Sequence, residues 1–326
     1  MIVITGGAGM IGSIIAWHLN TKLKRDDLVI VDRITHEDQW QNLVKRQYLQ
    51  YLDKDQLLDW LKDRNDIDAI IHMGAISATT ERDFNKLLEA NIHYSQQLWS
   101  WCASHQVPFF YASSAATYGA GEFGYDDTSL ENLRPMNSYG YSKHFFDQWV
   151  TRQSTDNAPP SWAGFKFFNV YGPNEYHKER MASVAFHTFN QFKESGTMRL
   201  FKGTKVNIND GEQLRDFIYV KDAAAVVAHF VEAATALPAP NGIYNLGTGQ
   251  ARSFKDLATA VMASTGRTPK ITYIDMPKDL QGKYQYFTEA TMTKLRAAGY
   301  LQPFIRLEEG VSDYVQHYLM QPDPYC

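Results

Sequence analysis

The sequence predicts an α/β fold in which a doubly wound parallel sheet is joined to a smaller α/β domain. The first observation is a short β-branched run at residues 1–5, followed by a glycine-rich turn and a helical pattern of apolar residues. The second is that strand and helix patterns then alternate through the first half of the chain, as they do in parallel sheets. The third is the length of 326 residues, which is enough for two joined domains. We expect the sheet domain over residues 1–170, with 216–248 returning to it, and the smaller domain over 171–215 and 249–326.

The composition argues against several classes of function. The chain has 32 basic and 36 acidic side chains and a formal net charge of −4, so it lacks the electrostatic footprint of a protein that binds nucleic acid or an anionic membrane surface. No apolar run approaches the roughly 18 residues of a membrane helix, and the chain starts with a strand pattern rather than a secretory signal. Cys102 and Cys326 have neither the spacing of metal ligands nor that of a disulfide framework. We therefore expect a cytoplasmic protein that binds no metal, no nucleic acid and no membrane.

The glycine-rich turn, from Gly6 to Gly12, lies between the first strand and the first helix. It matches the pattern G-x-G-x-x-G from Gly7 and the pattern T-G-x-x-G-x-x-G from Thr5. Glycine permits positive φ and lets the backbone approach a pyrophosphate, whose charge then meets the N-terminus of the helix. The sheet is therefore predicted to be a Rossmann sheet that binds a dinucleotide, while the smaller domain binds the substrate.

The second strand, residues 28–32, ends in Asp32, which lies about 20 positions beyond the glycine turn, where the adenosine ribose is expected. Arg33 follows it directly. A guanidinium group at this position can bind a 2′-phosphate through two hydrogen bonds, and Lys54 is a second candidate for the same phosphate or else a solvated surface lysine. Asp32 favours NAD instead. Weighing the two, we expect NADP, with NAD as the alternative.

The third strand, residues 69–75, carries a loop to the same edge of the sheet. Ligands in this architecture lie beyond the carboxyl ends of the strands, so the loop is expected to face the cofactor. His72 is expected to pack beneath the site and not to take part in catalysis. A helix through Leu87 and Leu98 then leads to the next strand, at residues 107–111.

That strand is followed by Ser113 and Ser114, and a helix-and-loop length further on by Tyr139-Gly-Tyr-Ser-Lys143. Tyr139 and Lys143 share one face of a helix because they are four residues apart. A phenol has a pKa of about 10, which a neighbouring cation lowers, so that the group can exchange a proton with an alcohol or ketone. Each pattern alone also fits a turn or an amphipathic helix. Their order, with the glycine turn upstream, predicts a catalytic cluster of serine, tyrosine and lysine.

These motifs, together with the later Phe-Phe-Asn-Val-Tyr-Gly-Pro at residues 167–173, resemble those of the nucleotide-sugar epimerases of the extended short-chain dehydrogenase/reductase family. The resemblance covers essentially the whole chain. It implies that Ser114, Tyr139 and Lys143 are catalytic and that Lys143 also holds the nicotinamide ribose. The cofactor contacts that it implies are Gly6, Gly9, Met10, Ile11, Gly12, Asp32, Arg33, Lys54, Met73, Gly74, Ala75, Ile76, Ser77, Asn91, Tyr139, Lys143, Val170 and Lys178.

Within this family, residues 111–119, 139–143 and 177–187 resemble the branch that epimerises ADP-activated heptoses at C6″ for the inner core of lipopolysaccharide. That resemblance implies tightly held NADP, an ADP-heptose substrate and a homo-oligomer, a pentamer. The substrate contacts that it implies are Ser114, Asn169, Arg180, Ser183, His187, Phe201, Lys202, Gly203, Thr204, Arg215 and Tyr284. Three features depart from the family pattern: Gln39 in place of a lysine, Arg180 in place of a small residue, and an insertion at residues 205–213.

Lys178 is our candidate for a second acid/base residue. The keto intermediate of a redox epimerase must rotate, which places its oxygen differently for the two configurations. Lys178 lies just beyond residues 169–173, where the chain is expected to leave the sheet, and partial desolvation there makes a lysine usable as a base near neutral pH. Its hydrophilic neighbours also fit a plain surface lysine, but the resemblance through residue 187 favours the base. We expect Tyr139 to serve one epimer and Lys178 the other, and residues 215–222 to return to the sheet and begin another helix.

Three other functions share parts of this pattern. A UDP-hexose 4-epimerase, or another nucleotide-sugar enzyme of the family, has the same turn, serine and Tyr-Lys pair but needs no second base. A sugar 4,6-dehydratase has adjacent Asp and Glu after the strand-end residue, where this chain has Ala115 and Ala116. A catalytically silent NADP sensor or scaffold typically loses the tyrosine or the lysine, and both are present here.

Overall fold

The computed structural model describes residues 1–203, 208–236, 241–277 and 285–326. Its strands, in chain order, are β1 (Ile2–Thr5), β2 (Leu28–Asp32), β3 (Gln50–Asp53), β4 (Ala69–His72), β5 (Phe109–Ser114), β6 (Trp162–Phe167), β7 (Asn169–Tyr171), β8 (Met198–Phe201), β9 (Leu214–Tyr219), β10 (Gly242–Leu246), β11 (Ala251–Ser253) and β12 (Ile271–Ile274). Its α-helices are α1 (Met10–Thr21), α2 (Leu57–Leu61), α3 (Phe84–Leu87), α4 (Tyr94–Ser104), α5 (Ser138–Thr151), α6 (Val184–Ser195), α7 (Val220–Ala236), α8 (Phe254–Ser264), α9 (Thr293–Ala297) and α10 (Leu307–Tyr314). Short 3₁₀ or π turns lie at Gln39–Leu43, Lys54–Gln56, Leu88–His93, Ala115–Tyr118, Thr155–Asn157, Tyr176–Met181 and Val315–Leu319.

The main sheet has seven strands in the described part of the chain, in the order β10-β6-β5-β4-β1-β2-β3. Every pair in it is parallel. The strand order reverses beside β1, so the carboxyl ends of β1 and β4 form the edge at which such sheets bind ligands. The predicted doubly wound parallel sheet is thereby confirmed.

Both faces of the sheet are buried, because alternate residues of a strand point to opposite sides. In β1, Ile2 and Ile4 join a cluster that includes residues of α1 and α7, and Val3 joins a cluster that includes residues of α4 and α5. The central strands therefore read as continuous apolar runs, as expected where helices cover both faces. This packing fixes the strand ends at which the polar residues of the site emerge.

The second half of the chain builds two small sheets in the order β11-β9-β7 and β12-β8. The expectation that residues 215–222 return to the main sheet is wrong for the strand: β9 pairs with β7 and β11 instead. The helix expected after it is present as α7, which lies against α1, and β10 then joins β6 in the main sheet. The apolar pattern of β9 identifies a strand but carries no information about its partner.

Two strand boundaries also differ from expectation. The strand expected at 107–111 runs from Phe109 to Ser114, because the peptide of Pro108 has no N–H for the ladder and the hydroxyl of Ser113 has a buried acceptor. The strand expected at 69–75 ends at His72, and the chain then enters the loop toward the site. No helix within the described ranges is long and apolar enough to cross a membrane.

Candidate active site

The glycine turn after β1 brings three backbone segments into close contact. Gly6 has φ of +64°, and a Cβ atom there would lie 2.6 Å from the backbone nitrogen of Gly74. A Cβ atom on Gly12 would collide with the carbonyl oxygen of Gly6. Helix α1 begins at Met10, with Gly9 as its N-cap and no side chain bonded to its first N–H groups. The backbone therefore presents N–H groups at a helix N-terminus, the arrangement that suits the pyrophosphate of a nicotinamide dinucleotide.

Asp32 and Arg33 lie at the carboxyl end of β2. The Asp32 carboxylate accepts hydrogen bonds from the backbone N–H of Ala8 at 2.9 Å and of Arg33 at 2.8 Å, which ties the glycine turn to β2. Burial raises the pKa of Asp32, and these backbone bonds oppose the rise. The Arg33 guanidinium is ion-paired with Asp53, at 3.1 Å, and with Asp55.

The loop after β4 holds the predicted cofactor contacts 73–77 and is fixed by two polar side chains. Thr5 accepts the backbone N–H of Gly74 on its hydroxyl at 3.2 Å, and Asn91 bonds both the N–H of Ile76, at 2.9 Å, and its carbonyl, at 3.0 Å. Asn91 also donates to the hydroxyl of Ser142 on α5 at 3.0 Å. His72 packs beneath this loop, fully buried and bonded to Thr5 at 2.6 Å; burial lowers its pKa to about 3, so it stays neutral.

Ser114 and Tyr139 meet where β5 and α5 come together. Ser114 is the last residue of β5, and Tyr139 is the second residue of α5, whose N-terminus is capped by Asn137 through a 2.8 Å bond to the N–H of Gly140. A Cβ atom on Gly140 would lie 2.7 Å from the carbonyl oxygen of Ala116, so only glycine permits this close approach. The Ser114 hydroxyl acts on the Tyr139 phenol and favours its phenolate form.

Lys143, one turn further along α5, has a buried ammonium that donates to the carbonyl of Ala112 at 2.8 Å. Burial lowers its pKa to about 8, and the charge of Asp147 opposes that shift. The expectation that the pKa of Tyr139 is lowered by a neighbouring cation is wrong. Burial raises the pKa of Tyr139, the bond from Ser114 opposes the rise, and Asp147 adds to it. The physical reason is that desolvation of the phenolate outweighs the local polar contacts.

Lys178 lies in the turn Tyr176–Met181, between β7 and α6, and approaches the glycine turn. Its ammonium is 3.9 Å from the sulfur of Met10, the first residue of α1. Burial lowers the pKa of Lys178, and the negative charge of Glu175 opposes the shift. The structure thus brings Lys178 to the same edge of the main sheet as the predicted cofactor contacts.

Two residues that the sequence did not single out hold this turn in place. Asn174, fully buried, donates to the hydroxyl of Ser13 on α1 at 2.9 Å and accepts the N–H of Cys326 at 2.9 Å. Glu175, also fully buried, accepts from the hydroxyls of Ser183 at 2.7 Å and Tyr314 at 2.9 Å, and from the N–H of Ser183. The signal available in the sequence was two polar residues directly after Gly-Pro at the end of β7.

The predicted substrate contacts lie mostly in the second half of the chain. Asn169 is exposed on β7, Arg180 is exposed in the Lys178 turn, and His187 is half-buried on α6. Ser183 is the N-cap of α6 and accepts the N–H of Phe186 at 3.2 Å, so its hydroxyl already has protein partners. Arg215 is buried; its guanidinium bonds the backbone carbonyls of Leu214, at 2.8 Å, and Gln285.

The remaining predicted substrate contacts lie at the end of β8 and beyond. Phe201 ends β8, Lys202 is ion-paired with Asp275 at 3.0 Å, and the N–H of Gly203 donates to Asp210 at 2.9 Å. Thr204 and Tyr284 lie outside the described residues. Across the described ranges, no cluster of three or more His, Cys, Asp and Glu side chains is arranged to hold a metal ion.

Known proteins resemble the whole chain. A sequence model of the NAD dependent epimerase/dehydratase family matches residues 2–247. A protein of Fusobacterium nucleatum named ADP-L-glycero-D-manno-heptose-6-epimerase is 50% identical over 338 aligned residues, covering 100% of both chains. A protein of the same name from Nitratidesulfovibrio vulgaris is 47% identical over 330 residues, again covering 100% of both.

Solved structures share the fold. The crystal structure of Helicobacter pylori ADP-L-glycero-D-manno-heptose-6-epimerase matches with a TM-score of 0.79 and 28% identity, covering 97% of this chain and 95% of that one. A UDP-glucose 4-epimerase of Thermus thermophilus in complex with NAD matches with a TM-score of 0.75 and 22% identity, covering 97% of this chain and 98% of that one, a likeness of fold alone.

Proposed function

The chain belongs to the NAD dependent epimerase/dehydratase family, and from that membership we propose that it interconverts ADP-D-glycero-D-manno-heptose and ADP-L-glycero-D-manno-heptose by inverting C6″, a step toward the inner core of lipopolysaccharide. Its relatives of that name align over its full length at 47–50% identity. The single observation in the structure that carries the proposal is the approach of Lys178 to Met10 at the glycine turn. A UDP-hexose 4-epimerase has no use for a second base at that place.

Tyr139 and Ser114 serve one configuration of the C6″ oxygen. The Tyr139 phenolate accepts the proton of the C6″ hydroxyl when the alcohol of this configuration is oxidised, and the resulting phenol donates a proton when the ketone is reduced to this configuration. The Ser114 hydroxyl donates to the same oxygen. Lys143 supports the phenolate with its charge and holds the nicotinamide ribose. A bound nicotinamide cofactor supplies the hydride exchange at C6″. The residues that would hold it are the glycine turn, Asp32 and the loop 73–77.

Lys178 serves the other configuration. Inversion at C6″ places the oxygen in two different positions relative to the protein, and a base fixed on α5 reaches only one of them. A lysine whose pKa is lowered by burial can accept a proton near neutral pH. The keto sugar rotates between the two residues. In one turnover, one of them accepts the hydroxyl proton during oxidation and the other donates a proton to the carbonyl oxygen during reduction.

The cofactor of this site is a nicotinamide dinucleotide, and we propose that it is NADP. Arg33 supports NADP, because its guanidinium lies beyond the end of β2 and its partners Asp53 and Asp55 are partly exposed carboxylates that a phosphate can replace. Lys54, which donates to Asp55 at 2.8 Å, can turn to the same phosphate. Asp32 favours NAD instead, because its carboxylate suits a free ribose hydroxyl. NAD in the names of relatives under 25% identity describes those proteins and does not decide the choice here.

The two parts of the chain are proposed to bind different molecules. Residues 1–170 and 216–248, of which β10 joins the main sheet, hold the cofactor, and residues 171–215 and 249–326 hold the sugar nucleotide. We also propose a cytoplasmic homo-oligomer, a pentamer by family resemblance. Light scattering coupled to size exclusion tests the number of subunits: a mass of one 37.2 kDa chain would contradict it.

The deciding experiment is to incubate the purified protein with ADP-D-glycero-D-manno-heptose, without added cofactor, and to follow the C6″ configuration by NMR. Conversion to the L-glycero epimer is expected, with the nicotinamide retained by the protein. UDP-glucose serves as the competing substrate. Epimerisation of UDP-glucose at C4 with the heptose left untouched would overturn the assignment.

A further inference from the structure

Behind the Ser114, Tyr139 and Lys143 cluster lies an ion pair that the mechanism above does not use. The carboxylate of Asp147 on α5 and the ammonium of Lys166 on β6 are 2.7 Å apart, and both side chains are fully buried. Removing two charges from water is costly, and apolar residues of similar volume frequently replace such pairs without loss of stability. A pair at this depth therefore calls for a role other than stability.

Asp147 fastens the last residues of β5 to α5. Its carboxylate accepts from the phenol of Tyr111 at 3.0 Å and from the hydroxyl of Ser113 at 2.7 Å. Between them, the carbonyl of Ala112 accepts from Lys143 at 2.8 Å. Three consecutive residues of β5, directly before Ser114, are thus bonded to two side chains one turn apart on the helix that carries Tyr139.

Lys166 holds the chain on the other side of Ser114. Its ammonium donates to the hydroxyl of Thr117 at 2.7 Å, and that hydroxyl donates to the carbonyl of Ser114 at 2.8 Å. The same ammonium lies 5.2 Å from the ring of Tyr118. Ser114 is therefore bracketed by the two members of one ion pair, through Ser113 before it and Thr117 after it.

Asp147 also sets the charge around Lys143. It lies one turn beyond Lys143, and its negative charge opposes the effect of burial on that ammonium. The pKa of His72 is lowered by burial and, in addition, by the positive charge of Lys143, so His72 stays neutral. The titratable groups on the elements packed around Lys143 and Asp147 are Tyr139 and His144 on α5, His72 on β4, Tyr111 on β5 and Lys166 on β6. Asp147 is the carboxylate whose negative charge acts on Lys143.

We propose that Asp147, held in place by its ion pair with Lys166, is a positioning residue that keeps Ser114 and Tyr139 in register and places a negative charge one turn from the Lys143 ammonium. The inference rests on the proposed roles of Ser114, Tyr139 and Lys143. It predicts that loss of the Asp147 charge shifts the alkaline midpoints of turnover and of NADP binding, in addition to any general slowing of the reaction.

The test compares four variants after their thermal unfolding has been checked. Asp147→Asn removes the charge, and the double variant Asp147→Asn/Lys166→Met removes the pair without leaving a buried ammonium unpaired. Ser113→Ala removes one bond of the bracket and no charge. Asp313→Asn is the matched control, since it breaks a partly buried pair with Lys221, at 2.7 Å, remote from this cluster.

Two quantities are followed from pH 6 to 10: the rate of C6″ epimerisation and the dissociation constant of NADP. The second reports on Lys143 because an ammonium makes a stronger hydrogen bond to the ribose than a neutral amine does. In Asp147→Asn and in the double variant, the alkaline midpoint of both curves is expected to move toward acid by about one pH unit. The rate then falls about fivefold at the wild-type midpoint and up to about tenfold at higher pH. Ser113→Ala is expected to slow turnover several-fold with its midpoint unmoved, and Asp313→Asn to match the wild type.

The outcomes separate this inference from the proposed function. A folded double variant with the wild-type midpoint in both curves would overturn the positioning role. If Asp147→Asn does not fold, the double variant decides; if neither folds, wild-type turnover in Ser113→Ala overturns the bracket and slower turnover supports it. If wild type leaves the heptose unchanged, the proposed function fails, while the NADP curves still decide the role of Asp147.

Discussion

The ammonium of Lys178 lies 3.9 Å from the sulfur of Met10, so the turn after β7 meets the first residue of α1. Asn174 adds a second link between the same two segments through its 2.9 Å bond to Ser13. The turn that carries Lys178 is therefore fastened to α1 at two points.

Replacing Lys178 with methionine removes the proposed second base and keeps the length of the side chain. We expect epimerisation to fall by at least about 100-fold, the range typical for loss of a general acid or base, with NADP still bound. The rate is measured by NMR of the C6″ signal. Lys62→Met is the control, because Lys62 is an exposed lysine paired with Asp59. A rate within twofold of wild type would return Lys178 to a structural role.

Tyr139→Phe removes the phenol that Ser114 bonds. We expect a loss of about 10³-fold in epimerisation, because a phenylalanine can neither accept nor return the proton. Tyr141→Phe, two residues along the same helix and largely exposed, is the matched control and is expected to retain full activity. Equal activity of the two variants would contradict the assignment of Tyr139.

Lys143→Met is expected to stabilise the fold while abolishing turnover. The pKa of Lys143 is about 8 in the folded chain against an ordinary 10.5. Between these values the unfolded chain binds a proton that the folded chain does not, so the stability due to this group rises with pH, and its ammonium is destabilising below about pH 8. When the lost bond to Ala112 is taken into account, the free energy of unfolding of the variant is expected to be about 2 kcal/mol higher than that of the wild type at pH 7. This difference is expected to disappear toward pH 10.5.

The measurement for Lys143→Met is denaturant unfolding at pH 7 and pH 10, with the exposed Lys270→Met as control. A loss of stability at pH 7 would show that the ammonium is better paired than its burial indicates.

Asp55→Asn tests the proposed phosphate site. Asp55 pairs with both Arg33 and Lys54, so its replacement removes one negative charge next to these two cations and leaves Arg33 paired with Asp53. We expect NADP to bind several-fold more tightly and NAD to bind as in wild type, measured by titration calorimetry after the resident cofactor has been removed. Arg33→Ala is expected to weaken NADP by about tenfold or more, the value of a charge-assisted contact to phosphate. A change in NAD and NADP by equal factors would place the 2′-phosphate elsewhere.

Glu175→Gln tests the support of the Lys178 turn. The carboxylate accepts hydrogen bonds from the N–H and hydroxyl of Ser183 and from the hydroxyl of Tyr314. A glutamine amide in its place has an NH₂ group that must face one of these donors, so one hydrogen bond is lost. We expect the free energy of unfolding to fall by about 2 kcal/mol, the penalty for a buried polar group without a partner. Glu212→Gln, half-exposed and bonded to Asn209, is the control. Unchanged stability would mean that the turn is held by Asn174 alone.

Local chemistry allowed the first half of the fold to be predicted. The glycine turn, Asp32 at the end of β2 and the Tyr-x-x-x-Lys spacing each follow from rules that act over a few residues. The structure places Ser114 at the end of β5 and Tyr139 in the first turn of α5, as their motifs predicted. The spacing of Tyr139 and Lys143 did not predict the effect of burial, which raises the pKa of Tyr139.

The rest depends on partners far along the chain. β9 reads as a strand from its own residues, but its pairing with β7 and β11 is decided by the packing of the whole second half. Ser113 extends β5 because Asp147, 34 residues later, accepts its hydroxyl. Glu175 draws its partners from α6 and α10. Neither periodicity nor a short motif records such contacts.

The placement of the two proposed bases bears on how this chemistry can be inherited and transplanted. Tyr139 stands on a helix that is bonded to the last residues of β5, so a change there disturbs the main sheet. Lys178 stands on a short turn, and the supports of that turn, Asn174 and Glu175, bond Ser13, Cys326 and Tyr314 elsewhere in the chain. Grafting the proposed second base onto a relative therefore requires these distant partners as well as residues 174–183.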